Sequence, residues 1–201
     1  MLLGAGLAPG LAIILIVVLD AIPGMTQRGS QITAIFPEPL SPRPRLPIHV
    51  VLDNLRSAFN VGSIFRTSDA GLIERLHLCG MTPCPPHPRL ARTALGAEDY
   101  VPWSYDKEAA TAVDGLHERG IPIVAIEAAE GTVPHSQFDW PRPVALVLGH
   151  EVRGIQPPVL ERCAAAVRVP MLGYKNTINV ATAYGVVLYE LLRRWGELSA
   201  E

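Results

Sequence analysis

The sequence predicts an α/β domain built on a mostly parallel sheet with helices on both faces. Short apolar runs of strand length alternate along the chain with longer segments of helical periodicity. The runs are apolar throughout, which is typical of strands that are buried on both faces. Strands that alternate with helices favour parallel pairing, because each crossover returns the chain to the same end of the sheet. A length of 201 residues suits one such domain, or one domain with a short appendage.

The first half of the domain is expected to begin with a strand and a capped helix. IHVVLD at 48–53 is an apolar run of strand type, and Asn60 offers a polar cap for a helix at 60–70. A second strand is predicted at 74–79. The segment 107–119 is polar enough to form a surface helix.

The second half is expected to supply three buried strands and two helices. The strands are predicted at 121–126 (IPIVAI), at 144–148 (VALVL, which ends at a glycine) and at 165–169. A short helix is predicted at 157–163, where a first turn tolerates its prolines, and a long one at 177–195. The apolar side chains of the long helix follow helical spacing and are expected to pack: Val180, Tyr184, Val187, Leu188, Leu191 and Trp195.

The formal charge of −2 conceals a gradient along the chain. Residues 25–95 carry a net charge of +4, residues 96–140 carry −7, and residues 141–201 carry +2. A polyanion would therefore meet the first and last thirds of the chain and avoid the middle. Ordinary solvated faces explain the same numbers, so charge alone does not establish a nucleic-acid partner.

The three cysteines do not predict a disulfide framework or a metal site. Cys79, Cys84 and Cys163 are too few and too unevenly spaced for a framework. Cys79 and Cys84 also lack a second Cys or His pair at zinc-ligand spacing. Composition further excludes coiled coils, collagen and disordered chains.

The amino terminus carries an apolar run with three interpretations. Residues 1–19 contain no charge, and residues 11–19 (LAIILIVVL) are strongly apolar. No basic region precedes this run, although a secretory signal needs one, and glycines and a proline interrupt it before it matches the ~20 residues of a membrane span. We interpret residues 1–24 as a start-site artefact, with translation beginning at Met25, or as an accessory segment. A membrane anchor is the alternative.

A connector rich in proline and arginine separates this segment from the domain. It occupies residues 25–46 and ends in SPRPRLP at 41–47. The domain is therefore expected at 47–196, with a tail at 197–201. We expect a cytoplasmic protein without membrane association.

Three motifs lie where parallel strands should end, which is where ligands gather in open parallel sheets. They are NLRSAFNVGSIFRT at 54–67, LVLGHEVRGI at 146–155 and VPMLGYKNTINV at 169–180. In the first motif, the amides of a helix start joined by Arg66 suit a phosphate, although a capped helix with a surface arginine explains it equally well. In the third motif, Asn176 or Thr177 would serve as a helix cap. Asn179 is expected inside the first turn, where capping does not require it.

Familiar ligand and catalytic signatures are absent from the sequence. It contains no G-x-G-x-x-G after the first strand and no G-x-x-x-x-G-K-[ST]. The six histidines are scattered, and His150 alone lies beside a motif. A nucleotide-like ligand would therefore be held by loops that follow several strands.

Taken in order, the motifs resemble those of the SpoU-type (TrmH-like) branch of the SPOUT RNA methyltransferases. The matching segments are NVGSIFRT at 60–67, TALGAE at 93–98, LVLGHEVRGI at 146–155, and VPM with NTINV within 169–180. Threonine at position 177 departs from the family, which usually has serine there, but it keeps the hydroxyl. Only residues 1–46 are available for the extra RNA-binding domain that many relatives carry.

The resemblance implies a reaction, a fold and a cofactor. Proteins of this family transfer a methyl group from S-adenosylmethionine to a ribose 2′-hydroxyl of tRNA or rRNA. They contain a C-terminal trefoil knot and act as homodimers. The positions that match the cofactor site are Ile126, Gly149, Val169, Met171, Thr177 and Ile178.

The resemblance also implies roles for four polar residues. Arg66 matches the arginine to which the family mechanism assigns the activation of the hydroxyl, although an arginine suits phosphate binding and charge stabilisation better. Asn60 and Asn179 are expected to position substrate, and Glu151 to hold Arg66 or the cofactor side. A non-catalytic RNA-binding module on the same fold is the alternative function.

Overall fold

The computed structural model describes residues 44–198. The interpretations of residues 1–24 and of most of the connector at 25–46 lie outside the described residues, as does the end of the tail. Within the described part, no helix combines the length and apolarity needed to cross a bilayer.

The described residues form one sheet of seven strands and five α-helices. The strands are β1 (Leu46–Asp53), β2 (Ile73–Cys79), β3 (Trp103–Asp106), β4 (Ile123–Ile126), β5 (Val133–Pro134), β6 (Val144–Leu148) and β7 (Ala165–Arg168). The helices are α1 (Ala58–Ala70), α2 (Pro88–Ala94), α3 (Ala109–Glu118), α4 (Pro157–Leu160) and α5 (Val180–Arg194).

The strand order is β3-β2-β1-β6-β4-β7-β5, and every pairing between these strands is parallel. The predicted fold class is therefore confirmed. The chain builds outward from β1 on one side and later adds β6 and β4 on the other. The carboxyl ends of these three strands consequently form the crevice where such sheets bind ligands.

Helices cover both faces of the sheet. Along β1, Val50 and Leu52 point into a core cluster that includes Phe65 of α1 and Tyr184 of α5. Val51, which points to the opposite face, packs in a second cluster with residues of α3. This arrangement explains why β1 is apolar at consecutive positions. The apolar face predicted for the last helix packs as expected, because Tyr184, Val187, Leu188 and Leu191 are all fully buried.

Three helix starts differ from the prediction: α3 begins at Ala109 and not at 107, and the other two lie at the candidate site. Helix α1 begins at Ala58, and its cap is Ser57, whose hydroxyl accepts from the Asn60 amide at 3.3 Å. Asn60 therefore lies inside the first turn and is not the cap. Helix α5 begins at Val180, so the expectations of a start at 177 and of a cap at 176 or 177 were wrong. Asn179 itself caps the helix.

The cysteines are free, and their thiols are poor nucleophiles. Burial raises the pKa of the Cys79, Cys84 and Cys163 thiols, in the case of Cys163 to about 11. A thiol whose pKa is raised carries little thiolate at neutral pH, so none of the three is suited to act as a nucleophile. Within residues 44–198, no three His, Cys, Asp or Glu side chains are grouped so as to hold a metal ion.

Candidate active site

A cavity of about 380 Å³ opens at the carboxyl ends of β4 and β6. One wall is the loop that follows β6, from Gly149 to Gly154. The other is the segment between β7 and α5, together with the first turn of α5. Its volume falls within the range of small-molecule sites.

All six residues predicted to contact the cofactor line this cavity. They are Ile126, Gly149, Val169, Met171, Thr177 and Ile178. They come from three separate parts of the chain, so the fold brings together what the sequence separates. Their role in binding remains a prediction.

The loop after β6 is folded tightly onto itself. His150 and Gly154 exchange two backbone hydrogen bonds, of 3.0 and 2.8 Å. A Cβ atom at Gly149 would lie 2.3 Å from the backbone of Gly154, so glycine is required by this close approach. The His150 ring nitrogen Nδ1 also accepts from the Val152 amide at 3.0 Å. His150 therefore holds the loop, which accounts for a histidine beside the motif without a catalytic role.

The segment 170–178 leaves its backbone polar groups open on the other side of the cavity. None of its amides donates to a backbone carbonyl within the described residues. Leu172 and Tyr174 are fully exposed, so this segment packs little against the rest of the domain. Open amides and carbonyls beside a cavity can form hydrogen bonds with a bound adenine.

Three of the four predicted polar residues form one hydrogen-bonded chain at the rim of the cavity. The Asn179 amide nitrogen Nδ2 donates to Asn60 Oδ1 at 3.1 Å, and Asn60 Nδ2 donates to Glu151 Oε1 at 3.0 Å. Glu151 also accepts from the backbone amides of Arg56 and Ser57, both at 3.0 Å. The first turn of α1, the loop after β6 and the start of α5 are thereby joined.

The hydrogen bonds of Glu151 keep it ionised. Partial burial raises the pKa of this carboxyl, but the backbone amides and Asn60 lower it by more, and the net pKa lies below its ordinary value. A carboxylate with a low pKa is a weak proton acceptor at neutral pH. Glu151 is thus suited to fix Asn60 and the adjacent backbone rather than to remove a proton.

The Asn179 side chain both caps α5 and holds Asn60. Its Oδ1 accepts from the Ala181 and Thr182 amides at 3.0 and 3.3 Å, which caps α5. Its Nδ2 remains free to hold Asn60. The expectation that capping does not require Asn179 was wrong, because the helix begins three residues later than predicted.

Arg66 lies apart from the other three residues. It is exposed on α1, two helical turns beyond Asn60, and it does not line the cavity. Its guanidinium forms no hydrogen bond or ion pair with any residue in the 44–198 range. Of the two alternatives for Glu151, the contact with Arg66 is not present, because the Glu151 oxygens accept from Asn60 and from backbone amides; the alternative, that Glu151 holds the cofactor side, stays a prediction.

Sequence reasoning missed two charged residues at the cavity wall. Glu127 follows directly after β4, and Arg168 ends β7. Their positions at the carboxyl ends of parallel strands were the available signal. Neither residue belongs to a motif, so the motifs did not predict either of them.

Basic side chains without a partner gather beside this site. Elsewhere in the described chain, Arg119, Arg142, Arg162, Arg193 and Arg194 are paired with acids. On α1, α2 and the cavity loops, the following cations are exposed and form no side-chain hydrogen bond or ion pair with described residues: Arg56, Arg66, Arg89, Arg92, Arg153 and Lys175. Lys107, before α3, is also unpaired but lies apart. The surface around α1, α2 and the cavity loops therefore carries exposed positive charge, whereas the cavity itself is also lined by the carboxylates of Glu127 and Glu151.

Comparison with known proteins matches this chain to proteins that are all named as methyltransferases. A putative TrmH family tRNA/rRNA methyltransferase, YacO of Bacillus subtilis, is 30% identical over 153 residues, which are 74% of this chain and 59% of that protein. The SpoU methyltransferase AviRb of Streptomyces viridochromogenes, solved in complex with AdoMet, superposes with a TM-score of 0.70 at 26% identity, over 76% of this chain and 62% of that one. A solved RNA 2′-O ribose methyltransferase superposes with a TM-score of 0.68 at 25% identity, over 77% and 59% of the two chains.

The family model confirms what these relatives indicate. This chain spans about three fifths of the length of the curated relatives that it matches. The model of the SpoU rRNA Methylase family matches residues 47–189, which is most of the chain and includes every motif described above. The chain belongs to the SpoU rRNA methylase family.

Proposed function

We propose that this protein transfers a methyl group from S-adenosylmethionine to a ribose 2′-hydroxyl of tRNA or rRNA. The observation that carries the proposal is a single cavity lined by all six positions expected to contact the cofactor, with the Asn179–Asn60–Glu151 chain at its rim. A solved relative bound to AdoMet and another named for ribose 2′-O methylation support the cofactor and the acceptor.

The cavity suits the proposed cofactor. Its volume accommodates a nucleoside with a short amino-acid arm. Gly149 permits the tight fold of the loop that forms one wall of the cavity, and the open amides of 170–178 suit an adenine. Thr177 retains the hydroxyl that the family usually provides with serine. When bound, S-adenosylmethionine supplies an electrophilic methyl group attached to a sulfonium.

The protein must align the hydroxyl and manage its proton. In an in-line transfer a carbon–oxygen bond forms as the carbon–sulfur bond breaks, and the hydroxyl proton leaves. Asn60 and Asn179 face this region and would position the ribose. A guanidinium offers hydrogen-bond donors and no acceptor, so the role of Arg66 would be to bind a phosphate of the substrate and to stabilise negative charge that develops on the oxygen.

A homodimer would complete the site. Arg66 lies outside the cavity of its own chain, so a second copy placed against α1 and α5 would bring an arginine to a neighbouring cavity. The exposed aromatic and aliphatic side chains Phe59, Val186 and Tyr189 on these helices provide a surface for that contact. The C-terminal trefoil knot implied by the resemblance remains a prediction.

RNA would dock across the unpaired cations of α1, α2 and the cavity loops. Each phosphate that an arginine or lysine neutralises releases counterions, so binding should weaken steeply with salt.

The test is methyl transfer from labelled S-adenosylmethionine to total tRNA and, separately, to rRNA, followed by mass spectrometry of the nucleosides. A 2′-O-methylated nucleoside in one pool is the expected result. An Arg66→Ala protein should bind the cofactor normally but transfer methyl at least about a hundredfold more slowly. Arg119→Ala, on the opposite face of the sheet, is the control. Cofactor binding without transfer to either pool would favour the non-catalytic RNA-binding alternative.

A further inference from the structure

We infer that Glu127, acting together with the buried Asp53, is a positioning residue that holds the loop 149–156 in the shape the cofactor cavity requires. The inference rests on the proposed function, because it assumes that the cavity holds S-adenosylmethionine. Neither residue lies in the catalytic set described above. Each acts on the backbone of the loop that follows β6.

The sheet places one carboxylate on each side of this loop. β6 lies between β1 and β4; β1 ends in Asp53, and Glu127 follows directly after β4, at the same edge of the sheet. Glu127 Oε2 accepts from the Ile155 amide at 3.0 Å, and Asp53 Oδ2 accepts from the next amide, of Gln156, at 2.8 Å. Two consecutive amides are therefore held by acids from two different strands.

Asp53 is the fixed side of this arrangement. It is 0% exposed and forms no salt bridge with a described residue. Its Oδ1 accepts instead from the side-chain amides of Asn54 and Gln156, at 2.8 and 3.1 Å. A buried carboxylate that accepts three hydrogen bonds from neutral donors is held rigidly, because losing any of them would leave charge unsatisfied.

Glu127 is the side that faces the cavity. Its Oε1 accepts from the Ala128 amide at 3.0 Å, which fixes the side chain over the loop. A Cβ atom at Gly154 would lie 2.6 Å from Glu127 Oε2, so the carboxylate lies directly against the loop backbone at Gly154. Gly154 also adopts a positive φ of 72°, which favours glycine.

The loop held in this way carries much of the site. Gly149, His150 and Val152 line the cavity, and Glu151 reaches from the same loop to Asn60. Releasing the Ile155 amide would let this wall relax, which lowers the population that is competent to bind cofactor. Affinity for cofactor should then fall in proportion.

The experiment compares Glu127→Gln with Glu130→Gln. Glutamine keeps the size of Glu127 but loses the charge and places an amide NH₂ against backbone donors. Glu130 is exposed in the loop after β4 and forms no hydrogen bond with described residues, so it provides the same chemical change without the contact. Arg153 is exposed within the held loop, which gives trypsin a cleavage site that reports on loop opening.

Four readouts are measured on the full chain: the rate of tryptic cleavage after Arg153 without ligand, the Kd for S-adenosylmethionine by calorimetry, KM for each substrate, and the thermal midpoint. Glu127→Gln should raise the cleavage rate and the cofactor Kd by about tenfold each, the scale of one charge-assisted hydrogen bond. KM for RNA and the thermal midpoint should stay near wild type. Glu130→Gln should change none of these quantities.

The outcomes separate this inference from the proposed function. Wild-type cleavage and cofactor affinity in Glu127→Gln would overturn the inference while leaving the proposed function intact. Faster cleavage with unchanged affinity would also overturn it, because the loop would then be held for another purpose. A wild-type protein that binds no S-adenosylmethionine would refute the proposed function and, with it, the cofactor role inferred for Glu127.

Discussion

Two buried histidines should make the stability of this domain fall in mild acid. His49 on β1 and His77 on β2 lie 3.2 Å apart, Nδ1 to Nε2, and are 1% and 8% exposed. The Ser104 hydroxyl lies 3.2 Å from His77 Nδ1, and the Glu74 carboxylate lies 3.3 Å from His49 Nε2. In a neutral pair Ser104 donates to His77 and His77 donates to His49, while His49 Nε2 lies beside the Glu74 carboxylate without forming a hydrogen bond to a described residue.

The magnitude follows from the pKa of His77. Burial above all, followed by repulsion of a second positive charge by His49, Arg75 and Arg119, lowers this pKa from 6.5 to about 4. The pKa of His49 is also lowered by burial, against the attraction of Glu74. Because the unfolded chain takes up the proton first, stability is complete above pH 6.5 and is lost as the pH falls toward 4. At about 1.4 kcal/mol for each pH unit between the two pKa values, protonation of His77 lowers the free energy of unfolding by about 3 kcal/mol over this range.

Urea unfolding at several pH values between 7 and 4.5 measures this loss. His77→Gln keeps a donor toward His49 but cannot titrate, so the loss of unfolding free energy over this range should shrink by about 2 kcal/mol relative to wild type. His117→Gln, an exposed position on α3, is the control and should keep the wild-type slope. Equal slopes in wild type and His77→Gln would refute the reasoning, since the buried pair would then contribute nothing to the acid sensitivity.

Three further substitutions test packing and ligand contacts. Tyr184→Phe removes a hydroxyl that lies 2.8 Å from the buried Ser68 Oγ. The Ser68 hydroxyl is then left without this partner, which should lower the free energy of unfolding in urea by about 1–3 kcal/mol. Gly62→Ala places a Cβ 2.2 Å from the Leu90 carbonyl, so α1 and α2 must separate, at a cost of about 1–3 kcal/mol by the same assay. Thr177→Ser retains the hydroxyl, and its cofactor Kd, measured by calorimetry, should stay within about twofold of wild type.

The sequence predicted the strands that carry a strong apolar signal and missed those that do not. β6 was predicted with its observed bounds, because five consecutive apolar residues ended at a glycine. β3 and β5 were not predicted: β3 is half-buried and partly polar, and β5 has only two residues. Helix α2 was missed as well, because seven residues that bury only Leu90 and Ala94 show no helical periodicity.

The motifs predicted which residues would meet, except for Arg66, but they did not predict how these residues would contact one another. The cofactor positions converge because parallel strands bring their carboxyl ends to one edge, a rule that sequence order alone supports. The partners of Glu151 follow instead from how the loop after β6 folds against the start of α1, about ninety residues away in the chain. No local pattern encodes that contact. Asp53 and Glu127 were missed for the same reason, since their partners are backbone amides.

Asn179 allows the site and the fold to be separated by one pair of substitutions. Asn179→Asp keeps the oxygen that caps α5, and a negative charge at a helix start is favourable, so unfolding free energy should stay within about 0.5 kcal/mol of wild type. It loses the donor to Asn60, however, and places a second carboxylate beside the Glu151 network. Methyl transfer should therefore fall by about tenfold or more while stability holds, whereas Asn179→Ala should lose both activity and about 1 kcal/mol of stability. If Asn179→Asp retained full activity, the hydrogen bond to Asn60 would be dispensable, and Asn179 would serve the helix alone.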